Sequence, residues 1–187
     1  MLQQQQARLH WQQAKKRSLI AGAVFVVLGA AWLGLTYNNL NGKRAMVAGK
    51  WAQVENQMQR RADLIPQLLN VAESFADREA RVLQDLAAAR ASFLAASTVA
   101  EQQVADEVMR GAIAQFQSFA LNSEPLQSSE LFINLQYEIA GTENRIATER
   151  MRYNQAVQGY NESLTRFPAV LVAKPLGFDA GEFGSGQ

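Results

Sequence analysis

The longest apolar run in the chain extends from Leu19 to Tyr37 and contains no charged residue. At 1.5 Å of rise per residue, a helix of this length is about 28 Å long, close to the roughly 30 Å hydrocarbon core of a bilayer. Trp11, Trp32 and Tyr37 lie near the two expected interfaces, where amphipathic rings are favoured. The run therefore predicts a transmembrane helix in preference to a buried core helix.

A cleaved signal peptide is the competing interpretation of the same run. Signal cleavage needs small residues directly after the apolar stretch. The run ends instead in Leu35-Thr36-Tyr37-Asn38, and it is longer than a usual signal core. We therefore expect an uncleaved signal anchor.

The clearest periodic pattern after the anchor is an apolar stripe late in the chain, with steps of three, four or seven residues. This spacing places all its members on one face of a helix. The helix is predicted to run from about Ser129 to Phe167, with Ser128 or Ser129 as its cap and Pro168 as its stop. The stripe consists of Leu135, Ile139, Thr142, Ile146, Tyr153, Val157, Tyr160, Leu164 and Phe167.

Earlier segments show three further amphipathic helices. The first has its stripe between Val47 and Met58 and continues from the anchor, although Asn41-Gly42 weakens that joint. Asp63 is predicted to cap the second, because Pro66 then falls in the first turn, where its missing N–H costs little. The third follows Thr98, and a turn at 122–125 leads into the last helix.

The predicted fold class is all-α: an antiparallel four-helix bundle of long helices preceded by one N-terminal transmembrane helix. Residues 1–18 form a short basic leader and residues 19–37 the transmembrane helix. The bundle is expected to occupy residues 38–168. Residues 169–187 form the C-terminal tail, which is Gly-rich and expected to be loose from Lys174 onward.

The net charge of +1 is unevenly distributed. Residues 1–18 carry four basic residues and no acidic one, so the remainder of the chain is mildly acidic and a nucleic-acid partner is not expected. After the span, basic residues are more dispersed, at Lys43, Arg44 and Lys50. The positive-inside rule then predicts a cytoplasmic N-terminus and an extracytoplasmic helical domain, by a narrow margin of four residues to three.

The residue types that usually carry catalysis are scarce. The chain contains no cysteine, and its single histidine, His10, precedes the anchor. Phosphate-binding glycine loops and a nucleophile elbow are missing from the sequence. We expect no catalytic residue, no metal site and no cofactor, and hence no enzyme.

Two acidic residues lie close to the late stripe, Glu143 beside it and Glu149 on it. A buried glutamate must be paired or neutral. The alternatives are a proton-linked or ligand site and, preferred, a structural ion pair that fixes helix register. The arginines that can supply a partner are Arg60, Arg61, Arg145, Arg150 and Arg152.

Two other local patterns concern helix contacts. Tyr153-Asn154 and Tyr160-Asn161 lie seven residues apart, so each Asn is placed to hydrogen-bond across helices and set register. Arg60 and Arg61 stand beside Asp63 at the predicted helix junction. We expect them to pair with that carboxylate and to serve structure or partner binding.

Two long blocks carry a family resemblance. WAQVENQMQRRADLIPQLLNVAESFADRE spans Trp51–Glu79 and is followed by Ala89-Arg90-Ala91, and GTENRIATERMRYNQAVQGYNESLTRFP spans Gly141–Pro168. Together with Gly177-Phe178 and Phe183, they resemble the LemA family. The family signature or interaction residues are then Trp51, Arg60, Arg61, Asp63, Pro66, Thr142, Glu143, Asn144, Arg145, Tyr153, Asn154, Tyr160, Asn161, Phe167 and Pro168.

The resemblance implies an N-terminal transmembrane helix, an antiparallel bundle of long helices and no known enzymatic activity. A related group acts in forming magnetosome membranes, which suggests membrane organisation. Arg78 stands where many members carry a histidine, so a role resting on that histidine does not transfer.

The sequence therefore predicts a scaffold in the bacterial inner membrane that self-associates or recruits envelope proteins. Its expected partners are the lipid bilayer, further copies of itself and other membrane or envelope proteins. The alternative is an extracytoplasmic ligand-sensing or stress-response module, which would call for a second span or a cytoplasmic output domain.

Overall fold

The computed structural model describes residues 2–72 and 76–181, in which all regular secondary structure is helical and no strand occurs. The helices are α1 (Leu2–Ala72), α2 (Ala76–Ala95), α3 (Val99–Ala120), the short α4 (Glu124–Gln127) and α5 (Glu130–Thr165), and a 3₁₀ turn covers Ala169–Leu171. The all-α prediction is confirmed. Phe183 and the side chains of Trp11 and Arg78, which entered the sequence argument, lie outside the described part of the chain.

Helix α1 continues through Asp63 and Pro66, so the prediction that a new helix begins at Asp63 is wrong. Asp63 is exposed within the helix, and its Oδ1 accepts a hydrogen bond of 3.0 Å from Gln59 Nε2 one turn earlier. The physical reason is that one buried stripe runs through the site without a change of phase, and its burial outweighs the local helix-start signal. Its members are Val54, Met58, Ala62, Ile65, Leu68 and Ala72.

A proline inside a helix leaves one carbonyl without its usual donor, and here α2 replaces that donor. Pro66 has no N–H, so it cannot bond to the carbonyl of Ala62 four residues earlier. Arg90 Nε donates to the Ala62 oxygen at 3.1 Å. Ala62 is fully buried, so without this bond a carbonyl would be left unsatisfied away from water. The tertiary contact therefore lets α1 tolerate the proline.

The starts of α3 and α5 follow local capping rules. Thr98 caps α3 in a capping box: its Oγ1 accepts from the N–H of Glu101, whose carboxylate accepts from the N–H of Thr98. Ser129 Oγ accepts from the N–H of Phe132 at 3.4 Å at the start of α5. The predicted Ser129 cap is thus observed, and α5 ends at Thr165, shortly before Pro168.

The chain divides into two compact units. The first unit consists of residues up to Arg44 together with Tyr160–Ala180, and the second contains Ala45–Gly159. In the second unit, segments of α1, α2, α3, α4 and α5 share one apolar core, and α2 packs against α3. The largest fully buried apolar side chains of this core are Val54, Met58, Ile65, Leu68, Leu86, Met109, Phe116, Leu126, Phe132 and Val157.

Contacts between helices in the second unit occur at several levels. The ring of Trp51 in α1 meets that of Tyr153 in α5 edge-on, with centroids 5.1 Å apart. Phe116 in α3 meets Phe132 in α5 in the same manner at 6.0 Å. Such edge-to-face pairs contribute about 0.5–1.5 kcal/mol beyond their buried area. These rings therefore help to hold α5 against both α1 and α3.

Candidate functional site

A cleft of about 300 Å³ in the second unit brings together residues of both sequence blocks that carry the family resemblance. We call it the arginine cleft. It is lined by Arg60 and Leu64 of α1 and by Tyr137, Glu138, Gly141, Thr142 and Arg145 of α5. Of the predicted site residues, it unites Arg60 with Thr142 and Arg145, which follow Arg60 by 82 and 85 residues along the chain.

The floor and the rim of the arginine cleft differ in polarity. Leu64 and Thr142 are buried, and Thr142 Oγ1 donates to the carbonyl of Ile139 at 2.7 Å, so its hydroxyl proton is already used. Arg60 and Arg145 are exposed, and the guanidinium group of neither makes a hydrogen bond or ion pair with a described residue. Tyr137 is 74% exposed beside them. The rim therefore presents planar donor groups and a ring to solvent.

The charges of the cleft favour an anionic ligand group. Two guanidinium groups stand against one carboxylate, that of Glu138, so the lining carries a net positive charge. Guanidinium groups bind carboxylates and phosphates through two parallel N–H···O bonds. The cleft is thus suited to an acidic side chain, a chain-terminal carboxylate or a small anion.

A second polar cluster lies inside the bundle, and we call it the buried network. Asp106 of α3 accepts hydrogen bonds from Arg61 Nη2 of α1 through Oδ1 and from Arg150 Nη2 of α5, at 2.9 Å, through Oδ2. The side chains of Arg61, Asp106 and Arg150 are 2%, 4% and 9% exposed. Since such charges are costly to bury unpaired, the three helices are held in one alignment around this carboxylate.

The buried network carries an excess positive charge. Two guanidinium groups share one buried carboxylate, and the nearest additional acid is Glu107, whose Oε1 lies 3.8 Å from Arg150 Nη1. The Nε atoms of Arg61 and Arg150 are buried without a hydrogen-bond partner in the described part of the chain. Removal of the Asp106 charge would therefore leave both arginines without their main counter-ion.

One turn closer to the start of α3, Gln102 continues this polar line. The indole N–H of Trp51 donates to Gln102 Oε1 at 2.8 Å, and Gln102 Nε2 donates to Glu55 Oε1 at 2.6 Å. The ring of the signature tryptophan Trp51 thus contacts Tyr153, and its indole N–H is hydrogen-bonded inside the bundle. Its role in the structure is to join α1 to α3 and α5.

The arginine pair at the predicted helix junction is divided by the structure. Arg61 points inward to Asp106, and Arg60 lies on the cleft rim. Asp63 is bonded to Gln59, so the expected pairing of Arg61 with Asp63 is wrong. The cause is the helical continuity of α1, which places residues 61 and 63 on different faces. Pro66 is exposed in the same helix.

The two acids near the late stripe have different environments. Glu149 is 17% exposed and pairs with Arg152 of the same helix at 2.6 Å. A structural ion pair was expected there, but because it lies within one helix it does not fix register between helices. Glu143 and Asn144 are exposed, and the Asn144 carbonyl accepts from Thr148 Oγ1 at 2.9 Å.

Of the Tyr-Asn pairs, both tyrosines are buried and both asparagines are half-buried and engaged in contacts. Burial raises the pKa of Tyr160, in the first unit; Arg44 opposes this shift and Asp179 adds to it. The role of Asn154 and Asn161 in helix register stays a prediction.

Sequence reasoning missed Asp106 and Gln102, and it named Arg90 only as part of a family block, without a role. A signal for the first two exists, because Gln102 and Asp106 fall in phase with the apolar stripe that continues through Met109, Ile113 and Phe116. Polar residues at buried phase require partners. The partner arginine Arg150 was considered only for Glu143 and Glu149. No local sequence pattern predicts the hydrogen bond from Arg90 to the Ala62 carbonyl.

Among the described residues, no group of three or more His, Cys, Asp or Glu side chains is placed to hold a metal ion.

The family model that matches this chain is described as the LemA family, and it covers residues 50–185. No curated protein matches the chain significantly. The family match includes every residue of the arginine cleft and of the buried network.

Proposed function

Because the chain belongs to the LemA family, we propose that it is a membrane-anchored, non-catalytic helical scaffold of the bacterial inner membrane that self-associates or recruits envelope proteins. The observation that carries this proposal is the apolar part of α1. An 18-residue window in this helix has a mean hydropathy of 2.2, and none of the window is buried by the rest of the chain. Exposed apolar side chains on such a scale are costly in water and favourable in hydrocarbon.

We further propose that the second unit is an antiparallel bundle on the extracytoplasmic side. The contacts of α5 support this direction: Tyr153 meets Trp51, whereas residues 137–145 lie beside Arg60 and Leu64. Chain position thus rises along α1 as it falls along α5. The orientation across the membrane rests on the basic leader before the span.

The arginine cleft is the proposed recruitment site of this scaffold. Its two guanidinium groups, which have no partner among the described residues, favour an acidic segment of a protein partner. A rim of this kind adds specificity and speeds association more than it adds affinity. Membrane confinement of both partners would raise their local concentration and so compensate for a small contact.

Membrane insertion is tested by high-salt and carbonate washing of the full chain. We expect it to stay with the membrane, since basic residues alone would release in salt. A soluble product that begins near Asn38 would show signal cleavage and overturn the anchor.

Cysteines placed at Ser97 and Ser123 test topology, because the chain has no cysteine of its own. An impermeant maleimide should label both in intact spheroplasts, and labelling only after lysis would reverse the orientation.

Recruitment is tested by native electrophoresis of gently extracted membranes. We expect a discrete assembly much larger than the 20.7 kDa chain. Arg60→Glu with Arg145→Glu should dissolve it, whereas Arg81→Glu, an exposed arginine of α2, should not. Circular dichroism must show equal helix content in all variants. An assembly that survives the charge reversal in the cleft would refute this recruitment site.

Self-association has a separate candidate surface on the α2–α3 pair. A groove of about 580 Å³ there is lined mostly by small residues, and Val104 and Val108 are 66% and 53% exposed at its side. Val104→Glu with Val108→Glu should lower the oligomer mass in mass photometry. A strictly monomeric parent chain at micromolar concentration would end this part of the proposal.

A sensing module is the second candidate function, and the size and charge of the arginine cleft favour it. A volume of about 300 Å³ lies at the small end of ligand pockets. In that case, a small dicarboxylate or phosphate should raise the melting temperature of the parent chain and not that of Arg145→Glu. No shift with such anions would leave protein recruitment as the favoured use of the cleft.

A further inference from the structure

The segment that follows α5 presents large apolar side chains to its surroundings. Phe167 is 80% exposed, Leu171 64% and Val170 48%. They are held on a short turn and not on a loose tail, because Ala173 and Phe178 of the same segment are buried. We call residues 166–178 the C-terminal loop. Three exposed apolar side chains within five residues of one turn call for a covering surface.

The position of the C-terminal loop in the first unit indicates which surface this is. Pro168 and Ala169 line a cleft of about 270 Å³ together with Trp32 and Leu35 of α1. The ring of Phe178 meets that of Tyr37 edge-on, with centroids 5.5 Å apart. Trp32, Leu35 and Tyr37 belong to the last turns of the uncharged run. The loop therefore lies beside the end of the segment proposed to cross the bilayer.

The distance along α1 sets the depth of the loop. Trp32 lies five residues, or about 7.5 Å, before Tyr37 along the helix axis. If Tyr37 marks the interface, backbone beside Leu35 and Trp32 lies at the boundary between headgroups and acyl chains. Interfacial segments bury their apolar face about 5–10 Å into this boundary.

The main chain of the C-terminal loop is suited to a low-dielectric boundary. Backbone N–H groups there are bonded within the loop: Val170 to the Arg166 carbonyl at 3.1 Å, Leu171 to Pro168 at 3.2 Å and Ala173 to Ala169 at 2.8 Å. Unpaired peptide groups would be costly at such a depth. The loop can therefore approach lipid without exposing free donors at these positions.

The charge of the loop favours phospholipid headgroups. Arg166 and Lys174 are its charged residues, and both are basic and exposed. Arg166 shares its charge with Glu162 at 2.9 Å, while the ammonium group of Lys174 makes no hydrogen bond or ion pair with a described residue. A basic side chain near an anionic lipid surface is attracted to the headgroup phosphates.

We infer that the C-terminal loop is a second membrane contact: Phe167, Val170 and Leu171 enter the headgroup–acyl boundary of the bilayer that α1 crosses, and Lys174 faces the phosphates. This inference rests on the proposed anchor. A loop and a transmembrane helix engaged with one bilayer hold the chain at two points. The covering surface is lipid, and a second copy of the chain is the competing occupant.

The test places an environment-sensitive NBD label on single cysteines in the full chain, reconstituted in vesicles of phosphatidylglycerol and phosphatidylethanolamine. Labels at Phe167→Cys and Leu171→Cys should show blue-shifted emission and at least a twofold quenching by lipids brominated near the top of the acyl chains. Tyr137→Cys, equally exposed in the second unit at 74%, is the aqueous control. Val27→Cys, near the middle of the uncharged run, reports the span itself and is measured with lipids brominated near the ends of the acyl chains.

The outcomes separate the inference from the anchor. Quenching at Val27 and at Phe167, with none at Tyr137, supports the loop contact. Quenching at Val27 with water-like emission at Phe167 overturns the loop contact and leaves the anchor intact. Blue-shifted emission at Phe167 without lipid quenching would mean that protein covers the loop, and this also overturns the inference. Absence of quenching at Val27 would refute the proposed anchor.

Discussion

The contact of Arg90 with the Ala62 carbonyl gives the sharpest test of how α1 tolerates Pro66. Arg90→Met keeps most of the aliphatic stem and removes the donor that lies 3.1 Å from the carbonyl oxygen. The oxygen belongs to a fully buried residue, so its loss of a partner carries the desolvation cost of a buried polar group. We expect the free energy of unfolding to fall by about 1–3 kcal/mol.

The diagnostic measurement is a double-mutant cycle with Pro66→Ala. Alanine restores an N–H at position 66 that can donate to the Ala62 carbonyl along the helix. In this background, removal of Arg90 takes away a second donor to an oxygen that already has one, and the cost should fall below about 1 kcal/mol. The coupling free energy between the two sites is then about 1 kcal/mol or more.

The assay is thermal unfolding of the detergent-solubilised full chain followed by circular dichroism. For a chain of this size, each 1 kcal/mol corresponds to a shift of about 2–4 °C. Arg81→Met, on an exposed position of the same helix α2, controls for loss of positive charge and should change little. Equal losses for Arg90→Met with and without the proline would refute the carbonyl argument and assign the effect to packing.

Three further outcomes are expected. Asp106→Asn should lower the free energy of unfolding, measured by denaturant titration, by about 3–5 kcal/mol, because two buried guanidinium groups lose their counter-ion. The control Glu107→Gln, at a residue that is 40% exposed, should change this free energy by less than about 1 kcal/mol. Main-chain hydrogen bonds from Ser97 and Thr98 lower the pKa of Glu101 below its ordinary 4.5. The stability that the ionised carboxylate contributes is therefore present above that pH and is lost as the pH falls through the folded-state pKa. Stability should therefore decline more steeply below about pH 4.5 in the parent than in Glu101→Gln, and parallel pH profiles of the melting temperature would contradict this. Glu55→Ala should have a smaller effect than Gln102→Ala, since only the latter leaves the buried Trp51 indole N–H without an acceptor, and a larger loss for Glu55→Ala would contradict that order.

Helix existence and the α5 boundaries could be predicted from local chemistry. These signals are local in the sequence: the apolar stripe from Leu135 onward, the serine cap and Pro168 each depend on residues only a few positions apart. The boundaries of α5 can therefore be predicted without knowledge of tertiary contacts. Pro66 could not be interpreted in this way. Its neighbourhood resembles a helix start, and the donor that makes a helix interior possible comes from Arg90, 28 residues away.

The candidate site was predictable in part for a similar reason. The two blocks around Arg60 and Arg145 were singled out, but that their residues share a cleft depends on how α5 packs on α1. The helical periodicity indicates that Asp106 is buried, but it does not indicate which residues are its partners. An ion pair across 45 residues has no spacing rule. Local patterns therefore indicate which polar residues are buried, and packing decides which groups they meet.

The buried network also bears on the order of folding events. Its contacts join residues 44 and 45 positions apart, in three different helices, whereas the α2–α3 pair is connected by three residues. Loop closure favours the short connection first. Asp106 would then find both arginines only after α1 and α5 have docked on that pair. Its loss should consequently speed unfolding far more than it slows folding, which makes the carboxylate a determinant of how long the native state lasts.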